Sequence, residues 1–178
     1  KKYDKTTYNG FYGRFDETKN FPEMAGKDIR AYFNFDTNED EKIKMKFALS
    51  PVSADGAMKN LEAEIPHWDF NKTKEETQEK WNKELSKIEV ETIKESQKET
   101  FYTALYHTML SPILYEDVDG KYRGLDQNIH ESEGFTNYTI FSLWDTYRAL
   151  HPLFNVIQQE RNNDMIKSML AHQEESVH

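Results

Sequence analysis

The chain has no cysteine, which excludes disulfides, thiolate nucleophiles and cysteine-zinc sites, although it leaves the compartment open. No apolar run reaches the roughly 18 residues needed to cross a bilayer, and no signal-peptide pattern is present. The motifs GxSxG, GxGxxG, HExxH and the Walker loop are all missing, as are internal repeats and low-complexity tracts. Positive charge is scarce: 23 basic against 32 acidic residues give a formal net charge of −9. Such a chain repels phosphate backbones, so nucleic acid is a poor partner, while neutral sugars, cations and basic surfaces remain open.

What is present is a globular composition. Thirteen percent of the 178 residues are aromatic, too many for a disordered chain, and the length suits one medium domain or pieces of two. The chain opens on KKYDKTTYNGFYGRF, which reads as the middle of a polar, aromatic loop. It closes on LAHQEESVH, just after a helical pattern. A segment of something larger is therefore expected.

Residues 1–27 read as loop with one short strand. DIRAYFNFD places Ile29, Ala31, Phe33 and Phe35 on one face. EKIKMKFALS sets Ile43, Met45, Phe47 and Leu49 against Lys42, Lys44 and Lys46. Period two predicts strands with one wet face, joined by a turn at TNEDE. Two strands do not stand alone, so the rest of their sheet is expected upstream. After Pro51, Ser53 is a plausible N-cap for a short helix carrying Ala57, Met58 and Leu61 and ending before Pro66. A polar helix follows from about Asn71 to Lys87. Its thin stripe of Thr77, Trp81 and Leu85 suits a linker. IEVE (88–91) reads as extended.

From Ser96 the pattern turns oily on most sides, with Phe101, Tyr102, Ala104, Leu105, Tyr106, Met109 and Leu110; a helix buried on both sides is expected. Residues 138–157 share that character, with a bend or restart near His151 ahead of Pro152. A third helix, about 163–175, carries Met165, Ile166, Met169 and Leu170 on one stripe. The intervening YEDVDGKYRGLDQNIHESEG, with the turn signal Asp119–Gly120, is either a hairpin excursion or a functional loop.

The most informative stretch is residues 135–155, FTNYTIFSLWDTYRALHPLFN. Trp144, Asp145 and Arg148 sit inside an oily run, and a charge buried there needs a partner or a ligand. A flat aromatic beside a carboxylate is what a sugar site uses: the ring stacks on the C–H face of a pyranose and the carboxylate accepts from hydroxyls. The other reading is an internal ion pair between Asp145 and Arg148, three apart on a helix. Glu116, Asp117, Asp119, Asp126, Glu131 and Glu133 make an acidic loop. DVDGKY has a calcium-loop flavour, but no ligand series continues past Gly120, so a solvated acidic loop is the better reading. Paired carboxylates perform glycosidic chemistry, yet nothing shows which two would face each other. The six histidines are scattered; His107 and His151 read as core or surface groups. The sequons NKT (71–73) and NYT (137–139) are present, and a helix-capping role is favoured for the second.

Three runs, FALSPVSADGAMKNLEAEIPHWDF, FYTALYHTMLSPILYEDVDGKYRGLDQNIH and YTIFSLWDTYRALHPLFNVIQQER, resemble the glycoside hydrolase family 92 α-mannosidases over about residues 28–175. The resemblance implies an α+β fragment. Residues 1–51 would be the last strands of an N-terminal β-sandwich, 52–94 linker helices, and 95–178 the first helices of an (α/α) six-hairpin toroid. It implies an exo-acting, inverting, calcium-dependent enzyme, exported and either periplasmic or extracellular, that removes terminal α-linked, expectedly α-1,2-linked, mannose from glycans. Trp144 and Asp145 would line the mannose pocket. Arg148 and Arg123 would orient Asp145 or shape the rim. The general acid, the base and the calcium ligands are expected outside this chain, which by itself should be inactive. The alternatives are a carbohydrate-binding or helical interaction module using Trp68, Trp81 and Trp144 as stacking platforms, and a segment that associates with copies of itself through uncovered apolar faces.

Overall fold

A computed structural model describes residues 5–10, 13–14 and 29–176. The chain divides into two compact units, Lys1–Lys44 and Met45–His178.

In the first unit, β1 (Lys5–Gly10), β2 (Gly13–Arg14) and β3 (Ile29–Asn34) form an antiparallel sheet in the order β2-β1-β3. β3 pairs along its whole length with β1, from Gly10 opposite Ile29 to Lys5 opposite Asn34. The turn falls at residues 39–40 with Asp40 at φ 64°. The rest of the aromatic stretch 1–27 lies outside the described residues.

The second predicted strand does not form. Residues 41–50 join no ladder among the described residues, and Met45, Phe47 and Leu49 are 77, 76 and 81 % exposed. Alternation specifies a strand only when a neighbouring strand supplies the ladder. Here Lys46 instead donates to the Ile65 carbonyl at 2.7 Å and lies 4.5 Å over the Trp68 ring.

In the second unit, α1 (Ala54–Glu64) begins where expected: the Ser53 hydroxyl accepts from Gly56 N at 3.0 Å. α2 (Phe70–Leu85) is the polar helix, capped by Asp69, which accepts from Lys72 N. Its last turn is tied to the corner between α5 (Leu150–Ile157) and α6 (Gln159–Glu175). There Gln158, 6 % exposed, donates to Glu84 and accepts from Lys87 at 2.8 Å. Burial pushes the Glu84 carboxyl up. The hydrogen bonds from Lys87 and Gln158 and the charges of Lys87 and Arg161 outweigh that, so it rests below its ordinary value.

α3 (Glu95–Thr108) is buried on one side only. Leu105 is enclosed, Trp81 meets Tyr106 edge-on at 4.6 Å, and Tyr106 and Leu110 stay exposed. The stretch after it was expected to be one bent helix from residue 138. Instead β7 (Tyr138–Thr139) pairs with β4 (Ile113–Leu114). Only then do α4 (Leu143–Thr146) and α5 follow, with the break ahead of Pro152 that its missing N–H favours. The buried stripe of α6 is Asn162, Met165 and Ser168; Ile166 and Leu170 of the expected stripe are exposed. Met165 packs with Tyr138 and Phe154 as the core, flanked by Leu150, Leu153 and Ile157.

The excursion between β4 and β7 is a hairpin, not a solvated acidic loop. β5 (Lys121–Arg123) pairs with β6 (Ile129–Glu131), Tyr122 lying opposite His130. Its reversal is at residues 124–128, where Gly124 N donates to Asn128 O and Gln127 adopts φ 67°. The Asp119–Gly120 pair makes a separate turn ahead of β5, with Gly120 at φ 80°, a value favourable for glycine.

Asp117, 2 % exposed, opens that turn and docks α1. Its carboxylate accepts from Ser50 Oγ at 2.7 Å and from Asn60 Nδ2 at 2.8 Å, and Asn60 Oδ1 accepts from Val118 N. The approach requires glycine at position 56, where a Cβ would lie 2.2 Å from Asp117 Oδ2 and 2.7 Å from Ser50 Oγ. Gly56→Ala is therefore expected to destabilise the chain by about 1–3 kcal/mol although alanine is the better helix former. Urea unfolding monitored by helix circular dichroism reads this, with Met58→Ala on the exposed face of α1 as the control near zero; a raised midpoint for Gly56→Ala would contradict it.

Candidate functional site

α4 carries the indole and the carboxylate singled out by sequence. The chain reaches it from β7 through Ile140, a β-branched residue held at φ 64°, a conformation that costs about 1–2 kcal/mol. The Ile140 carbonyl accepts from Ser111 Oγ at 3.4 Å. Ser142 N-caps the helix with its carbonyl, which takes Asp145 N at 3.1 Å and Thr146 N at 3.2 Å. Its hydroxyl makes no cap bond and donates instead to Asp145 Oδ2.

The expectation of burial is overturned for this chain: Trp144 is 84 % exposed, and Asp145 and Arg148 are exposed beside it. Among the described residues no ion pair joins Asp145 to Arg148. The Arg148 guanidinium turns to its neighbour, Nε donating to Tyr147 OH at 2.8 Å with the ring centroid 5.4 Å away. Arg123 lies elsewhere. Its donors reach the carbonyls of Pro51 (3.0 Å), Gln127 (2.8 Å) and Val52 (3.3 Å), stapling the hairpin to the segment ahead of α1. Trp144 and Asp145 are thus adjacent and open to a ligand, Arg148 sits one turn on, and Arg123 is not brought to them. Ser142 was missed by the sequence reading, although S-x-x-D ahead of a helical run was a usable signal.

A cleft of about 280 Å³ is lined by Trp81, Tyr138, Phe154, Arg161 and Met165, among others, and by none of the four expected residues.

The acids of the excursion are mostly spent on structure. Glu116 accepts from Ser132 Oγ at 2.6 Å and Asn137 N at 2.8 Å. Asp119 pairs with Lys59 at 2.9 Å, and Asp126 with His130 at 3.0 Å. Glu131 and Glu133 are exposed. Among the described residues no three His, Asp or Glu side chains converge as a metal-holding group. Asn137 is not a helix cap. It is fully buried ahead of β7 and donates to Tyr115 O at 3.0 Å, while Asn71 of the other sequon is exposed. His107 is exposed; His151 is half-buried, its Nδ1 2.8 Å from Asn162 Oδ1.

The comparisons with known proteins bear on the family rather than on individual residues. The chain is similar over 99 % of its length to the family GH92 α-mannosidase BT3965 of Bacteroides thetaiotaomicron, with 42 % identity and a TM-score of 0.84, and it covers 24 % of that chain. The same mannosidase in complex with mannoimidazole matches with 41 % identity and a TM-score of 0.82, again over 99 % of this chain and 24 % of the other. The GH92 glycosyl hydrolase ccman5 matches over 68 % of this chain and 16 % of its own, with 27 % identity and a TM-score of 0.64. A protein of Arthroderma benhamiae described as an uncharacterized secreted glycosidase is 31 % identical over 84 residues, 45 % of this chain and 11 % of that protein. These are glycoside hydrolases. The family model described as the glycosyl hydrolase family 92 catalytic domain matches residues 56–178, and the chain belongs to that family. It spans less than a quarter of the length of the relatives named here.

One group in the hairpin reports on pH. Tyr122, 3 % exposed, donates to Glu175 Oε1 at 2.6 Å. Burial, then this hydrogen bond and the Glu175 charge, hold the phenol well above its ordinary 10.0. Below pH 10 both folded and unfolded chains keep the proton, and the contribution is complete. Above it the unfolded chain ionises first and stability is lost. Between about pH 9 and about pH 11 the native chain should lose about 1 kcal/mol more stability than Tyr122→Phe. Urea midpoints at both values test this, and parallel losses would refute it.

Proposed function

We propose that this chain is part of an exo-acting α-mannosidase that hydrolyses terminal α-linked, in particular α-1,2-linked, mannose from glycans with inversion. The observation that carries the reading is the 42 % identity to an α-mannosidase over 99 % of the chain, at a TM-score of 0.84. In this reading residues 1–51 end a β-sandwich, 52–94 link, and 95–178 begin an (α/α) toroid. The faces bearing Tyr106, Leu110 and Val156, exposed here, are covered by further helices of a longer polypeptide. Left uncovered, they would drive self-association.

Trp144 then offers its ring to the C–H face of the terminal mannose, and Asp145 accepts from its hydroxyls. Arg148 sits at the rim. Inversion needs an acid for the leaving oxygen and a base for water, roughly 6.5–9.5 Å apart; both come from elsewhere in the polypeptide. Calcium, by family resemblance, would bind sugar hydroxyls through ligands expected outside this chain. Secretion is supported by the fungal relative's description as a secreted glycosidase, and no helix among the described residues is long and apolar enough to cross a membrane.

A stand-alone sugar-binding module is less well supported: of its three platforms, Trp81 is half-buried against Tyr106. The test compares the 178-residue chain with the complete polypeptide on an α-1,2-linked mannobiose, following the anomer released by proton NMR. The complete polypeptide should release β-mannose and lose activity with chelator, and the chain alone should release none. Turnover by the chain alone, or release of α-mannose by the complete polypeptide, would overturn the reading.

A further inference from the structure

An N-cap serine ordinarily spends its hydroxyl on a backbone N–H of the first turn. Ser142 does not. It makes no side-chain cap bond, and its Oγ–H points to Asp145 Oδ2. The helix start is served by the Ser142 carbonyl alone, which accepts from Asp145 N and Thr146 N and, at 3.1 Å, from Thr146 Oγ1. The side chain and main chain of one residue thus hold both the carboxylate and the peptide of Asp145. Among the described residues no donor reaches the second oxygen, Oδ1. The segment is set by its neighbours on both sides: Ile140 is locked in the left-handed region just upstream, and Arg148 is engaged with Tyr147 and leaves Asp145 alone.

We propose that Ser142 is a positioning residue for the sugar site. It fixes the Asp145 side chain so that Oδ2 is satisfied by the protein and Oδ1 is presented, beside the exposed Trp144 ring, to a hydroxyl of the terminal mannose. The inference rests on the sugar-contact reading of Asp145 given above. A carboxylate on an exposed four-residue helix samples several rotamers in water. Pinning one oxygen removes that freedom before the sugar arrives, so the hydroxyl bond forms without the ordering cost.

The experiment uses the complete polypeptide and four forms of it: unaltered, Ser142→Ala, Ser142→Thr and Asp145→Ala. Each is measured for kcat and KM on α-1,2-linked mannobiose, for mannoimidazole affinity by calorimetry, and for melting temperature. Ser142→Ala is expected to weaken mannoimidazole binding and kcat/KM about tenfold with the melting temperature unchanged. Ser142→Thr, which keeps the hydroxyl, should restore both. Asp145→Ala should lose more than Ser142→Ala, and adding Ser142→Ala to it should change nothing further. If Asp145→Ala collapses binding while Ser142→Ala matches the unaltered enzyme, the positioning role is wrong and the sugar contact stands. If Asp145→Ala leaves binding intact, the sugar contact itself is wrong and the inference falls with it. A Ser142→Ala loss that persists in the Asp145→Ala background, or one matched by a drop in melting temperature, also overturns the positioning role.

Discussion

The carboxylate of Asp117 holds together pieces of chain about sixty residues apart. An anion buried without partners would cost several kcal/mol, so its enclosure demands donors, and they come from far away: Ser50 ahead of α1 and Asn60 within it. Asn60 is itself 8 % exposed and satisfied in turn by Leu49 O and Val118 N. Arg123 adds its staple to the Pro51 and Val52 carbonyls, and Lys59 pairs with Asp119. The result clamps the start of α1 onto the hairpin excursion. The hairpin's other side reaches α6 through Tyr122 and Glu175. Neighbouring Tyr138 N donates to Ser168 Oγ at 2.9 Å. Loosening Asp117 would free α1 from the frame on which β7 and α4 are mounted.

The frame explains why the indole and carboxylate stand where they do. β7 is anchored by β4 on one edge and by Ser168 on α6 on the other. Ile140 then turns the chain sharply, and α4 projects Trp144 and Asp145 from a fixed base. A short helix of four residues has little stability of its own; its geometry comes from this anchoring and from Ser142. A segment built this way is anchored at its root and exposed at its tip.

Much of the element order was legible because it depends on local chemistry. Ser53, Asp69 and the Pro152 break act within a few residues of themselves, and α1, α2 and the α4–α5 interruption fall close to where sequence places them. Periodicity was a weaker guide. The alternation of residues 43–49 is strict, yet no strand forms, since a ladder needs a partner that local sequence does not reveal. The oily circumference of α3 predicted enclosure, but only Leu105 is enclosed within this chain. Composition misled at the excursion: six acids suggested a solvated loop, whereas Asp117 and Glu116 are drawn into hydrogen bonds by donors distant in sequence, and Asp126 by Asn128 and His130 close by.

Sequence alone selected the family and nominated the candidate residues: an indole next to a carboxylate on a helical segment, within runs characteristic of α-mannosidases. Those are properties of neighbouring residues and survive in a linear reading. Tertiary structure decided which guanidinium does what and which group holds the carboxylate. Arg123 was taken by two carbonyls about seventy residues away and by Gln127 O nearby, Arg148 by the tyrosine beside it, and Asp145 was left to Ser142. Hydrogen-bond partners are assigned by where folding places donors and acceptors within about 3 Å of one another, and only the assembled fold sets those distances.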